Sequence, residues 1–160
     1  MRVITGFARG RRLETLEGED VRPTTDRIKE AVFSIIQFET EGRAFLDLFA
    51  GSGQMGIEAL SRGAKTAFFV DNSKKSLDTV KRNLKTTKLE QNAKTFAMDY
   101  QSFVSMCSER FDIAFIDPPY KTGMLQKALE LVPEIMNETG IIIAENPLDE
   151  EILSNYGNFV

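Results

Sequence analysis

The chain has 160 residues, 42% hydrophobic and 28% charged, enough apolar material for one folded domain with its own core. It has no histidine and one cysteine, Cys107, which excludes histidine-based triads, histidine-ligated metals and any disulfide or cysteine-clustered zinc framework within the chain. The net charge of −4 is unevenly spread: Arg2, Arg9, Arg11 and Arg12 crowd one end, and residues 130–151 carry acids and no base.

No apolar run approaches the ~20 residues of a membrane helix, and the first residues lack a secretory apolar stretch. A soluble cytoplasmic protein without metal or membrane partner is expected. Residues 1–13 read as a short strand or hairpin with glycines at Gly6 and Gly10, followed by a polar loop over 14–23. Arg22-Pro23-Thr24-Thr25-Asp26 opens a helix through about Phe38, with Ile28, Val32 and Ile35 or Ile36 at helical spacing. Thr24, Thr25 and Asp26 are each suitable N-caps.

From residue 44 strands and helices alternate. Strands are predicted at 44–49, 66–71, 93–98, 111–117 and 140–145, and helices at 54–62, 73–87, 100–108 and 121–132. A sixth strand is expected to start at Asn158. Apolar strands alternating with helices mean a parallel sheet covered on both faces. The fold class is α/β, a doubly wound Rossmann-like sheet with a small N-terminal extension. It forms a single domain over 1–160, with a basic arm and loop at 1–21 and the core at 22–160. Ligands in such sheets bind beyond the carboxyl ends of the strands.

The loop after the first of these strands contains G-x-G-x-x-G at Gly51, Gly53 and Gly56, with Asp71 at the end of the next strand. That is the dinucleotide pattern. Asp47, four residues before Gly51, argues against it, because a carboxylate there would oppose a pyrophosphate. S-adenosylmethionine suits these residues better. Its ammonium matches Asp47, its ribose diol Asp71 with Asn72 beside it, and its adenine amine Asp99, with Tyr100 lining the adenine pocket. Phe49, Ala50, Gly51, Ser52 and Gly53 form the loop that approaches the ligand through its backbone. Each acid taken singly also suits a helix N-cap.

Asp117-Pro118-Pro119-Tyr120 directly follows the fourth strand. The two prolines fix φ twice and remove two donors, leaving carbonyls as acceptors on a stiff loop. This suits methylation of an exocyclic nucleobase amine, whose lone pair is delocalised into the ring. Asp117 and the Pro118 carbonyl would hold its two hydrogens, and Tyr120 would stack on the base. Cytosine C5 methylation needs a cysteine nucleophile where Pro118 and Pro119 stand. Cys107 reads as a packing or surface residue.

Taken together, RVITGFARGRRL (2–13), RPTTDRIKEAVF (22–33), DLFAGSGQMGIEALSRGA (47–64) and DPPY (117–120) resemble the bacterial small-subunit ribosomal RNA guanine-N2 methyltransferases, which modify one guanine of 16S rRNA. The resemblance implies a seven-stranded class I methyltransferase fold using S-adenosylmethionine, with Asp117 to Tyr120 at the acceptor amine. It implies that RPTTDR closes over the methionine end of the cofactor and the target base, with Thr24 and Thr25 binding the cofactor and Arg22 the RNA. The arm, with Arg2, Arg9, Arg11 and Arg12, would touch RNA; arginines there suit phosphate contacts in any case. The lysine-rich helix at 74–88 reads better as a solvated face. Asp71 stands where the family more often has glutamate, and the family's final antiparallel strand pair is not accounted for. The expected partner is 16S rRNA or the assembled small subunit, met by a monomer. Three rivals remain open: an adenine-N6 methyltransferase, a nicotinamide oxidoreductase, and a non-catalytic RNA-binding assembly factor.

Overall fold

A computed structural model describes residues 1–16 and 25–160, so Arg22 and Thr24 lie outside the described residues. Five strands form one parallel sheet: β1 (Ala44–Leu48), β2 (Thr66–Asp71), β3 (Ala93–Ala97), β4 (Phe111–Ile116) and β5 (Met136–Ala144), in the order β3-β2-β1-β4-β5. The strand order reverses between β1 and β4, which opens a crevice at their carboxyl ends.

The central strands are apolar throughout because both faces are covered. In β2, Ala67 and Phe69 point to one core layer and Phe68 and Val70 to the other. The first layer is filled from α1 (Thr25–Ile35), α2 (Gln54–Ser61) and α3 (Lys74–Thr87). The second is filled from α4 (Tyr100–Met106), α5 (Met124–Leu131) and a 3₁₀ turn at Val132–Ile135. In α3, Leu77, Val80 and Leu84 are buried, Ser73 caps the first turn through the Ser76 N–H at 3.2 Å, and the lysines point to solvent. Among the described residues no helix is long and apolar enough to cross a membrane.

The N-terminal arm is part of the fold. Arg2 and Arg12 bridge antiparallel, and Val3, Ala8 and Leu13 are buried in the first core layer. Glu58 of α2, itself fully buried, accepts the N–H groups of Ile4 and Thr5 at 2.9 and 3.0 Å, and Arg62 Nε at 2.9 Å. Buried Lys29 donates to the Arg2 carbonyl at 2.7 Å. Burial lowers the Lys29 pKa, against the opposing pull of Glu58 and Asp26. Phe7 N–H reaches the Ser61 carbonyl, and a Cβ on Gly6 would sit 1.8 Å from that oxygen, so the close approach requires glycine. Asn83 of α3 closes the arm's far end, pairing with both backbone groups of Glu14 while also donating to the Ser52 carbonyl.

Several boundaries differ from the sequence reading. Helix α1 stops at Ile35: Ile36 is the last residue to reach the core, and Phe38 is exposed in the turn that returns to β1. Of the two candidates at that turn, Ile36 is buried and Ile35 is exposed. Helix α5 starts at Met124 because Lys121 and Gly123 both adopt left-handed φ, 58° and 74°. Strand β5 starts four residues before Gly140, through a register shift: Phe111 pairs with Met136 and Ile113 with Ile141. A Cβ on Gly140 would meet the Asn137 carbonyl and Met136 Cε at 2.9 Å. In place of a sixth sheet strand, Tyr156 and Phe159 form an antiparallel bridge around Gly157 and pack on the second core layer.

Candidate active site

The glycine loop is built by three different physical needs. Gly53 caps α2 in the left-handed region at φ 81°, and a Cβ there would press on Val80 at 2.9 Å. Gly56 packs α2 onto β2; a Cβ would lie 2.4 Å from the Phe69 ring. Gly51 also has positive φ, 58°, but only open space where its Cβ would be. Gly53 and Gly56 therefore serve packing, whereas Gly51 has open space beside it and lines the cavity.

Beyond the carboxyl ends of the strands lies a cavity of about 660 Å³. Of the site residues named in the sequence, Phe49, Ala50, Gly51, Ser52, Asp71, Asn72, Asp99, Tyr100, Asp117, Pro118 and Pro119 line it together. Asp47 lies beneath the lining, 2% exposed. Gly53 and Tyr120 are not on this wall. Tyr120 lines an adjoining pocket with Pro118, Pro119 and Glu145. Thr25 opens α1.

Asp71 accepts the Gly51 N–H at 3.0 Å and the Ser73 N–H at 2.9 Å, so it holds the glycine loop and the start of α3 together. Its remaining lone pairs suit a diol. Asp99 caps α4, accepting from Ser102 N–H and hydroxyl at 2.9 and 2.8 Å, which lowers its pKa. It does so while lining the cavity, so capping does not take Asp99 away from the wall. Phe49, in the left-handed region at φ 66°, brings its ring to 5.1 Å from that of Tyr100. A non-glycine residue held there is strained, and such strain concentrates at functional loops. Burial raises the Tyr100 pKa, helped by the Asp99 charge.

Asp47 accepts the Gly56 N–H at 3.0 Å. Its pKa is raised well above the usual carboxylate range, first by burial, partly offset by that hydrogen bond, and further by the negative charges of Asp117 and Asp71. A cation bound beside it would offset that cost. Nearby, Gln54 Oε1 is buried without a hydrogen-bond partner, on a side chain that lines the cavity. An ammonium supplies both the charge and the donors. These acceptors fit S-adenosylmethionine, for which Asp47 and Gln54 would face the amino acid end, Asp71 the ribose, and Asp99 with Phe49 and Tyr100 the adenine. A pyrophosphate would face the carboxylates of Asp71, Asp99, Asp117 and Glu145 here, with no lysine or arginine among the described lining residues.

The Asp117–Tyr120 segment leaves β4 directly. Asp117 is half-buried and Pro118 buried. Thr122 Oγ1 donates to the Pro119 carbonyl at 2.8 Å, and Lys121 turns the chain through left-handed φ. Cys107 is half-buried at the end of α4, its pKa raised by burial, away from this loop. The sequence reading missed Gln54, Met55, Met98, Ile28 and Glu145 on the cavity wall. Gln54 and Met55 occupy variable positions of the glycine pattern, so their residue types carry no signal. Glu145 did carry one: an acid ends the fifth strand, as acids end the others.

The arginines of the arm, Arg2, Arg9, Arg11 and Arg12, are all exposed on its pinned backbone, and Phe7 is 88% exposed among them.

Comparison with known proteins agrees with this architecture. A family model described as "Conserved hypothetical protein 95" matches residues 1–160. The chain is 42% identical to "Putative rRNA methyltransferase YlbH" of Bacillus subtilis, over all of this chain and 90% of that one. It is 33% identical to "Ribosomal RNA small subunit methyltransferase D" of Haemophilus influenzae, over 96% of this chain and 82% of that one. Among solved structures, "Putative methyltransferase yhhF" from Escherichia coli superposes with a TM-score of 0.86 at 31% identity, covering 97% of this chain and 86% of that one. The chain belongs to the conserved hypothetical protein 95 family, alongside these methyltransferases, and has their Rossmann-like class I fold.

Proposed function

We propose that this chain transfers a methyl group from S-adenosylmethionine to the exocyclic N2 amine of a guanine in 16S ribosomal RNA. The observation that carries the reading is the shared cavity. Asp117 and Pro118, acceptors at the end of β4, line the same wall as Asp71 and the glycine loop. The relatives named for ribosomal RNA methylation support the substrate class.

S-adenosylmethionine supplies a methyl group on a sulfonium. An aromatic amine is a poor nucleophile because its lone pair is shared with the ring. The Asp117 carboxylate accepts one amine hydrogen and the Pro118 carbonyl the other, which turns the nitrogen lone pair out of the ring plane. As the N–C bond forms the C–S bond breaks, a neutral thioether leaves, and the surplus amine proton passes to Asp117. Holding the two reacting atoms in line supplies much of the rate. Arg2, Arg9, Arg11 and Arg12 contact phosphates and set the orientation of the RNA.

The test is incubation with labelled S-adenosylmethionine and either 16S rRNA or small subunits, followed by mass spectrometry of the nucleosides. N2-methylguanosine is expected. N6-methyladenosine would overturn the base assignment and leave a methyltransferase of the rival class. Replacing Arg9, Arg11 and Arg12 together should lower the slope of log affinity against log salt by about 2 if each meets a single-strand phosphate. An unchanged slope would remove the arm from the RNA contact.

A further inference from the structure

Glu145 follows β5 directly. Its N–H donates to the Ile116 carbonyl at 3.0 Å, extending the ladder past the Ile116–Ala144 pair and setting Glu145 beside Asp117. Ile116 and Ala144 pack into the core layer under α4 and α5, and the next residues, Asp117 and Glu145, both line the cavity. The Tyr120 hydroxyl donates to Glu145 Oε1 at 2.8 Å, which fixes the carboxylate against the Pro118-Pro119 loop. Two carboxylates thus stand side by side on the wall that meets the target base.

Nucleobases differ in what they offer such a pair. Guanine presents two adjacent kinds of donor on one edge, N1–H and the N2 amine. Adenine and cytosine present an amine next to a ring nitrogen that accepts. A base entering with its amine at Asp117 turns the adjacent ring nitrogen toward the neighbouring strand end. We propose that Glu145 is the residue that selects guanine: its carboxylate accepts the N1–H while Asp117 and Pro118 hold the amine. For adenine the same pose opposes the carboxylate to a ring lone pair, and sites built to bond a donor reject analogues that lack it. Tyr120 acts as a positioning residue for Glu145. This inference rests on the guanine-N2 reading above and adds the group that enforces it.

The test compares guanine with 2-aminopurine, which keeps the N2 amine and replaces N1–H by an acceptor. Small subunits are reconstituted on 16S rRNA carrying either base at the position that the product assay maps. Wild-type protein should prefer guanine by about 30-fold or more in kcat/KM, since a good two-point base contact is worth about 10- to 100-fold. Glu145→Gln can donate to the 2-aminopurine nitrogen, so the preference should fall to near unity or reverse, with cofactor affinity and Tm unchanged. Tyr120→Phe should lower the preference several-fold and decides the matter if Glu145→Gln fails to fold. N2-methylguanosine as product with an unchanged preference in the variants overturns the role of Glu145 alone. N6-methyladenosine as product overturns the guanine reading and this inference together.

Discussion

The two ends of the sheet use the same residue type in opposite ways. At the amino ends, Asp112 of β4 accepts the Ala44 N–H of β1 at 2.9 Å and the Asn137 amide of β5 at 2.8 Å, with Arg43 at 4.0 Å. Its carboxylate is closed by partners on both neighbouring strands, β1 and β5, and ties the sheet together. At the carboxyl ends, Asp47, Asp71, Asp117 and Glu145 gather around one cavity, and the charges felt by Asp47 are negative. The Asp112 contacts join strands of the scaffold, whereas Asp71 combines backbone contacts with a place on the cavity wall. Carboxylates crowded against one another store an unfavourable interaction that a cationic or donor-rich ligand relieves.

The largest expected effect separates chemistry from binding at the carboxyl end. Asp117→Ala removes an acceptor on the reacting amine, so kcat should fall on the order of 10²–10⁴-fold while cofactor affinity stays within a few-fold. Asp71→Ala should do the reverse, weakening the cofactor by roughly 10- to 100-fold through the lost charge-assisted hydrogen bonds. Because Asp71 also holds the Gly51 and Ser73 N–H groups, some loss of Tm should accompany it. Single-turnover rates and calorimetric titration separate the two. Wild-type turnover by Asp117→Ala would sink the proposed mechanism.

At the amino end the expectation is a pure stability effect. Asp112→Ala strands the Ala44 N–H and the Asn137 amide, a cost of about 1–3 kcal/mol. For a chain of this size that is a fall in Tm of roughly 3–10 °C. Cofactor affinity and kcat should hold below the new melting point. An activity loss as deep as that of Asp117→Ala would break the division between the two ends.

Much of this division was legible in the residues. Acids at the ends of successive apolar strands pointed to the carboxyl edge, and the glycine pattern with Asp47 before it argued against a pyrophosphate. What escaped has physical causes. The first part of β5 reads as polar because Asn137, Glu138 and Thr139 occupy an irregular segment where side-chain alternation fails, so periodicity registers only from Gly140. Lys121 carries no sequence mark of the left-handed turn that delays α5. The arm reads as a basic segment, and its burial rests on Glu58 and Ser61, more than fifty residues away along the chain. Among the glycines, spacing made Gly51, Gly53 and Gly56 alike, and only the neighbours of each absent Cβ distinguish the open position from the packing positions.

The smallest effect bears on the stored repulsion itself. Burial holds the Asp47 pKa well above its unfolded value near 3.8, so between the two values the folded state binds more protons than the unfolded one. The favourable contribution of neutral Asp47 is complete below the unfolded pKa and is lost as pH rises through the folded pKa. Ordinary surface carboxylates give the opposite trend, so the signal lies in the difference between wild type and Asp47→Asn. In ligand-free protein that difference should be small at pH 4 and grow in favour of Asp47→Asn toward neutral pH, by about 2–4 °C in Tm for each kcal/mol relieved. Saturating S-adenosylhomocysteine, which keeps the ammonium, should reverse the order, because the charge that burdens the empty site then has its partner. Scanning calorimetry from pH 4 to 8, with and without that ligand, measures both. Parallel curves for the two proteins would mean that Asp47 is not where the carboxyl end stores its cost.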